Sequence, residues 1–253
     1  MKWTRILVFL VFMLLPQALL AAPVVLFDEA HGQPFLASGE RPLDLSALAG
    51  VFAAAGCEVR TTSLPLDAKQ LAGVDVLVSS GAFQPFTAEE IATVRAFLAR
   101  GGGVAIMLHI APPLADLLHA LDVDFTNGTL REQSHVIGEN RQDFMVRDLA
   151  EHPLTAGLQE FAVYGAWALR GTAPSVAVVA RTGAHGWIDL NRDGKLSVGD
   201  AVQPFGVAVA GTLEGGRFAV FGDDALFQNR HLEGSNRALA ANLVRWLSVP
   251  KGQ

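Results

Sequence analysis

The run Val24-Val-Leu-Phe27 contains no polar alternation, which is the pattern of a strand covered on both faces of a sheet. It ends abruptly in Asp28, Glu29, His31, Gly32 and Gln33, all polar or turn-forming. Two further runs repeat the pattern, Val74–Ser79 closed by Ser80-Gly81 and Val104–Leu108 closed by His109. Between them lie helical patterns. Asp44–Gly56 places Leu45, Leu48, Phe52 and Ala55 on one face, and Cys57–Thr62 then reads as a short strand. Thr87-Ala-Glu-Glu90 is a capping box ahead of Ile91, Val94, Phe97 and Leu98, and Pro112-Pro113 opens a third helix along Leu114, Leu117, Leu118 and Leu121. Strands alternating with helices in this way predict an α/β fold, a mostly parallel open sheet with helices on both faces.

The pattern changes beyond Asp122. Residues 122–151 are polar and weakly periodic and are expected to form a long excursion over the surface, with the formal sequon Asn127-Gly-Thr129 read as a turn. Phe161–Leu169, Val176–Ala180, Gly206–Gly211 and Phe218–Phe221 read as strands without a long helix between them, so this C-terminal part is expected to add partly antiparallel strands. Glu214-Gly-Gly216 reads as a hairpin connection, and Ser235 or Asn236 is expected to cap a closing helix along Leu239, Leu243, Val244 and Leu247. With 253 residues, 51% of them hydrophobic, and no repeat or linker, residues 23–250 are expected to form a single domain.

Residues 1–22 read as a secretory signal, Lys2 and Arg5 preceding an apolar run and then Ala21-Ala22, with cleavage near Ala21–Pro23 or an uncleaved anchor as the outcomes. The expected location is therefore periplasmic or secreted. A net charge of −6 offers no basic face for nucleic acid. The single cysteine, Cys57, excludes an internal disulfide and is expected to pack as a small hydrophobe.

The most specific motif is Asp189-Leu-Asn191-Arg-Asp193-Gly194-Lys195-Leu196-Ser197-Val-Gly-Asp200, which matches the spacing of an EF-hand-like calcium loop. Asp189, Asn191 and Asp193 would offer side-chain oxygens, Lys195 its carbonyl, Ser197 a water-mediated contact and Asp200 the closing carboxylate. Ca2+ is therefore the expected cofactor, held in an inserted loop with a structural role. The alternative is an acidic loop of Asx turns without metal.

A second group of polar residues falls at predicted strand ends: Asp28, Glu29, His31 and Gln33 after the first strand, His109 after a later one, and Asp223 with Asn229 after Phe218–Phe221. In open α/β sheets ligands sit beyond the carboxyl ends of the strands. These seven are the candidate ligand-binding residues, and Asp28, His31 and Asp223 the candidate catalytic ones. Against this stands the reading in which Asp28 and His31 bond the loop backbone.

FDEAHGQPF at 27–35, FTAEEIATVRAFLARGGGVAIML at 86–108, and RFAVFGDDALFQN with NRALAANLVRWL within 217–247 together resemble the class I glutamine-amidotransferase-like (flavodoxin-like) domains that lack catalytic residues. Such domains are found in gliding-motility-type ABC-transporter auxiliary proteins, an intraflagellar-transport subunit and uncharacterised exported bacterial proteins. The active members carry a cysteine at a turn for which Leu108-His109-Ile110-Ala111 is the match, and no Cys or Ser stands there. The resemblance implies no amidotransferase activity and one further partner class, a membrane transporter. The leading expectation is an exported, calcium-binding, non-catalytic domain for a small ligand, glycan or protein partner. The alternatives are a hydrolase, with carbohydrate as one substrate class, using Asp28, Glu29 or His31 with Asp223, and an auxiliary transporter subunit.

Overall fold

The computed structural model describes residues 22–248. The chain runs β1 (Val24–Asp28), α1 (Ser46–Ala54), β2 (Glu58–Thr62), β3 (Val76–Ser80), α2 (Ala88–Ala99), β4 (Gly103–Met107) and α3 (Ala115–Ala120). It continues through β5 (Val123–Arg131), β6 (Asp143–Val146), β7 (Asp148–Leu149), β8 (Phe161–Tyr164), β9 (Trp167–Gly171), β10 (Val176–Arg181), β11 (Trp187–Ile188) and β12 (Ala201–Val202). The last elements are β13 (Gly206–Leu213), β14 (Gly216–Phe221) and α4 (Gly234–Leu247).

Twelve strands make one mixed sheet in the order β12-β11-β5-β9-β13-β14-β4-β3-β1-β2, with β10 and β7 attached through β13. The expected mostly parallel sheet is corrected here: only β2, β1, β3, β4 and β14 pair in parallel, and the remaining pairings are antiparallel. A parallel return needs a crossover of a dozen residues or more, usually helical. Among the described residues no α-helix intervenes between α3 and α4, so the chain turns back on itself instead. The Glu214-Gly215 turn has both residues at positive φ, 53° and 102°, the conformation that matches the twist of a two-residue hairpin. It returns the chain as β14, antiparallel to β13 and parallel to β4. The carboxyl end of β14 therefore arrives at the same edge as those of β1, β3 and β4.

Helices do cover both faces of the parallel block. Leu48, Val51 and Phe52 of α1 and Leu239, Leu243 and Leu247 of α4 pack with Val25, Phe27, Val78 and Phe221 on one side. Val94, Phe97 and Leu98 of α2 and Leu117 and Leu118 of α3 pack with Leu26, Leu77, Ile106 and Val220 on the other. The α2 capping box is present with both of its reciprocal bonds. Cys57 is buried and free, and burial pushes its thiol pKa up, away from reactivity.

Two further expectations are corrected. Residues 122–151 are not an excursion but hold β5, β6 and β7; a register shift in β5 between Phe125 and Thr129 breaks the two-residue period that would have marked the strand. The α4 helix is not capped by Ser235 or Asn236, since Glu233 occupies the N-cap position in extended backbone and makes no side-chain cap. Asn236 is buried inside the helix, where Oδ1 accepts from the Ala162 amide at 2.8 Å and pins α4 to β8. Residues 189–200 form an irregular, largely exposed loop between β11 and β12. The expected signal sequence spans residues 1–22, of which 1–21 lie outside the described residues.

Candidate functional site

The polar residues that end β1 turn inward. Asp28 Oδ2 accepts from His31 Nδ1, Gln33 Nε2 and Ser79 Oγ, each at 2.8 Å, and Asp28 Oδ1 accepts from the Ala30 amide at 3.0 Å. His31 Nε2 lies 3.2 Å from Glu90 Oε1, and the imidazole stacks on Phe86 with ring centroids 3.7 Å apart. Burial works against a charge on His31, but its bonds to Asp28 and the fields of Asp28 and Glu90 together raise its pKa. An imidazolium donates from both nitrogens, which is what two flanking carboxylates require. Asp28, His31 and Gln33 are thus joined in one buried knot that ties the β1 loop to β3 and α2. Glu29 Oε1 accepts from the Ala37 amide, and Asn229 bridges the Arg41 carbonyl and the Ala47 amide at the start of α1. These side chains hold loops in place.

The open cleft lies beside them, at the ends of β4 and β14. It has a volume of about 700 Å3, and its lining includes Phe35, His109, Asp143, Tyr164, Asp223, Asp224, Arg230 and His231. Of the seven predicted ligand-binding residues only His109 and Asp223 line it. Sequence reading placed Asp224 in the polar group Gly222-Asp223-Asp224 without counting it among the candidate residues, and it passed over Tyr164, Arg230 and His231. Asp224 was legible as the second acid of Asp223-Asp224 after a buried run; Tyr164 arrives only through antiparallel pairing that the pattern did not reveal.

Asp223 is fully enclosed, and its two oxygens accept from the Tyr164 amide at 2.7 Å and the Ala225 amide at 2.9 Å. Burial first, and then the neighbouring Asp224 charge, push its pKa up to about 7. Asp224 is 1% exposed; Oδ1 lies 3.1 Å from His109 Nδ1, while Oδ2 has no partner. That bond is the main reason the His109 pKa is raised. The bond directs Nδ1 inward and leaves Nε2 free on a ring whose side chain is 40% exposed. Phe35 and Phe83 flank the ring, with centroids at 5.5 and 5.3 Å. Tyr164 stacks on His231 at 3.6 Å, and burial first, then Arg230, push the His231 pKa down to about 4.

These shifts oppose each other in the pH dependence of stability. The folded state holds the Asp223 proton up to about pH 7, whereas the unfolded chain releases it near 3.8, so Asp223 takes away stability as pH rises across that window, by about 1.4 kcal/mol per pH unit. His231 stays neutral in the folded state down to about 4 and protonates near 6.5 in the unfolded chain, so its contribution is lost as pH falls from 6.5 to 4. Between roughly pH 4.5 and 6.5 the two slopes offset. Replacing His231 by Phe keeps the stacked ring and removes one slope. Urea unfolding of H231F is expected to show stability falling more steeply with rising pH through this range than in the parent protein; parallel profiles for both proteins would refute the account.

In the loop 189–200 the side-chain oxygens are turned onto amides. Asp189 accepts from Asp193 and Gly194, Asn191 from Asp193, Asp193 from Lys195, and Asp200 from Leu190 and Ser197. Asp189 Oδ2 also lies 3.3 Å from the Arg131 guanidinium. Among the described residues no three His, Cys, Asp or Glu side chains gather as a metal-holding group.

The family model described as a domain of unknown function, DUF4350, matches residues 39–244. No curated protein matches the chain by sequence. Among solved structures, the mmIFT52 N-terminal domain superposes with a TM-score of 0.72 at 17% identity, covering 90% of this chain and 99% of that one. A cytoplasmic protein of Salmonella typhimurium LT2 gives 0.58 at 14% identity, covering 89% and 99%. A protein described as ThuA-like from Bacteroides uniformis gives 0.52 at 14% identity, covering 94% and 97%. At these identities the likeness is one of fold. The resemblance to catalytic-cysteine-less glutamine-amidotransferase-like domains is overturned by these matches, which lead to a different family and to the IFT52 and ThuA-like folds. Short segments around buried strands and helix caps recur wherever such elements recur, which is why they misled.

Proposed function

The chain belongs to the DUF4350 family, and from the geometry at the carboxyl edge of its sheet we infer that it is a binding domain that takes a small polar ligand between the ends of β4 and β14. One observation carries this reading: His109, 40% exposed in the lining of the cleft, is held through Nδ1 by the buried Asp224 and keeps Nε2 free for a ligand. The hydrolase alternative keeps one point in its favour, since His109 held by Asp224 has the base-and-orienter arrangement of hydrolytic sites. Among the described residues, however, no serine or cysteine is bonded to His109, and Asp28 and His31 are committed to their own knot. Binding is therefore favoured over bond making.

Tyr164 is the only tyrosine in the chain, so its ring signals report on the cleft without labelling elsewhere. A thermal-shift screen of sugars, nucleosides and amino acids, followed by NMR of the hits, is expected to give ligands that both raise the melting temperature and shift Tyr164. Hits that leave Tyr164 untouched would place binding elsewhere and sink the reading.

Export is supported by the sequence of residues 1–22, and calcium binding at 189–200 by the spacing of the motif and by amides that wrap the loop around Asp189, Asn191 and Asp193. Binding would have to release Asp189 from Arg131. Isothermal titration with calcium is expected to give one site, lost in Asp189→Ala and Asp193→Ala. A flat titration would assign the loop to its own Asx turns.

A further inference from the structure

We propose that the cleft takes a small organic acid, one carboxylate on an apolar body, with His109 Nε2 and Arg230 binding the carboxylate; this rests on the cleft being a binding site. Both residues line the same cleft of about 700 Å3. Depth separates them from its acids. Asp223 and Asp224 are 2% and 1% exposed, and Asp223 gives its oxygens to the Tyr164 and Ala225 amides. The His109 side chain is 40% exposed, and Arg230 is exposed. The Arg230 amide bonds the Pro42 carbonyl at 2.8 Å, which anchors the residue beside the cleft, and its guanidinium forms no ion pair among the described residues. A solute entering from solvent therefore meets the cations before these two acids.

The chain itself shows what such a ring takes on its second nitrogen. His31 is held through Nδ1 by Asp28, stacks on Phe86, and meets the Glu90 carboxylate at Nε2. His109 is held through Nδ1 by Asp224 and flanked by Phe35 and Phe83, but its Nε2 faces the cleft. A carboxylate arriving there completes the same row of acid, imidazolium and acid. The bond to Asp224 already raises the His109 pKa against the effect of burial, and Asp223 adds to the rise. Phe35, Phe83 and Trp167, also against His109, carry no charge, so Asp223 and Asp224 are the titratable groups that bear on it. Asp143, the third acid of the lining, is half-buried, bonded to Asn140 Nδ2 at 3.0 Å, and its pKa is raised by burial. His109 and Arg230 against Asp143 leave a small positive excess, which suits a single carboxylate better than a dianionic phosphate. Guanidinium groups match carboxylates with paired N–H donors. Phe35, Leu43, Ile137 and Tyr164 supply apolar lining for the rest of the ligand.

The test uses the full chain, labelled in its tyrosine, and matched probes at millimolar concentration. The acids are benzoate, phenylacetate and hexanoate; beside them stand their amides, benzylamine and hexylamine, and inorganic phosphate. At least one acid is expected to raise the melting temperature and shift the Tyr164 ring signals, where its amide does neither. Arg230→Gln and His109→Gln are each expected to weaken acid binding about tenfold or more, since each removes a hydrogen bond between charged groups. Affinity for the acid is expected to fall as pH rises through the His109 pKa, by up to about tenfold per pH unit. In His109→Gln that fall shrinks to the part that Asp223 supplies as it ionises. Circular dichroism checks folding; should His109→Gln not fold, the exposed Arg230→Gln and the comparison of acid with amide decide. Amides, amines or phosphate bound in preference to the acids, or amides bound equally well, would overturn the ligand class and leave the cleft as a binding site. Acid binding unchanged in folded Arg230→Gln or His109→Gln would overturn the proposed contacts. Stabilisation by an acid without a Tyr164 shift, or silence from every probe, would overturn the cleft as well.

Discussion

Replacing Asp28 by alanine is expected to lower the stability of the chain by about 4 kcal/mol, because removing one partner of a buried charged network leaves the others unpaired. For a domain of this size that is a fall of roughly 10 °C in melting temperature. Four donors lose their acceptor at once: the amide of Ala30, the imidazole of His31, the amide of Gln33 and the hydroxyl of Ser79. Each is buried or nearly so, and His31 is left facing Glu90 alone. Asp28→Asn keeps the shape but sets an NH2 group among donors, so its loss should be intermediate. Ser79→Ala removes one donor and leaves Asp28 satisfied by the rest, so about 1 kcal/mol is expected. Urea unfolding of the three variants checks the order. Equal, small losses in all three would show that the knot does not hold the β1 loop.

The same knot shows what the sequence could reveal. Val24–Phe27 announced a buried strand and Asp28, His31 and Gln33 its polar end, and the structure puts all three together. Residue type and spacing do not say whether a carboxylate faces a ligand or its own loop; that depends on Ser79 and Glu90, 51 and 62 positions away. The helices α1, α2 and α4 were legible because each carries its own period and, for α2, its own cap. The antiparallel half was legible in part: Val176–Ala180, Gly206–Gly211, Phe218–Phe221 and the turn at Glu214-Gly-Gly216 stand as read, whereas β5, β6, β11 and β12 did not show. β5 has a register shift, and β11 and β12 are two residues each, too short for any period to register. The cleft shares that mixture, because the ends of β4 and β14 supply His109, Asp223 and Asp224, whereas Tyr164 ends β8, which pairs with the unread β6.

The start of β9 packs directly on Gly222, the residue after β14, and a methyl group added there is expected to cost about 3–5 kcal/mol. A Cβ on Gly222 would stand 2.0 Å from the Trp167 carbonyl oxygen and 3.1 Å from its nitrogen. Both are backbone atoms, so no rotamer change relieves the clash. β9 must move, and with it go the Trp167 amide bond to the Gly222 carbonyl at 2.7 Å and the indole bond to the His109 carbonyl at 3.1 Å. Since Asp223 and Asp224 follow Gly222 directly and Tyr164 lies three residues before Trp167, the cleft walls part as the clash is relieved. Gly50 offers the contrast, being inside α1 with nothing within 4 Å of a built Cβ. Gly50→Ala should stabilise the protein by up to about 1 kcal/mol through helix propensity. Gly222→Ala should therefore lower the melting temperature and abolish any ligand response at Tyr164, while Gly50→Ala raises the first and spares the second. A Gly222→Ala protein of parent stability would mean that β9 and β14 do not meet at this residue, and that the cleft is not walled as described.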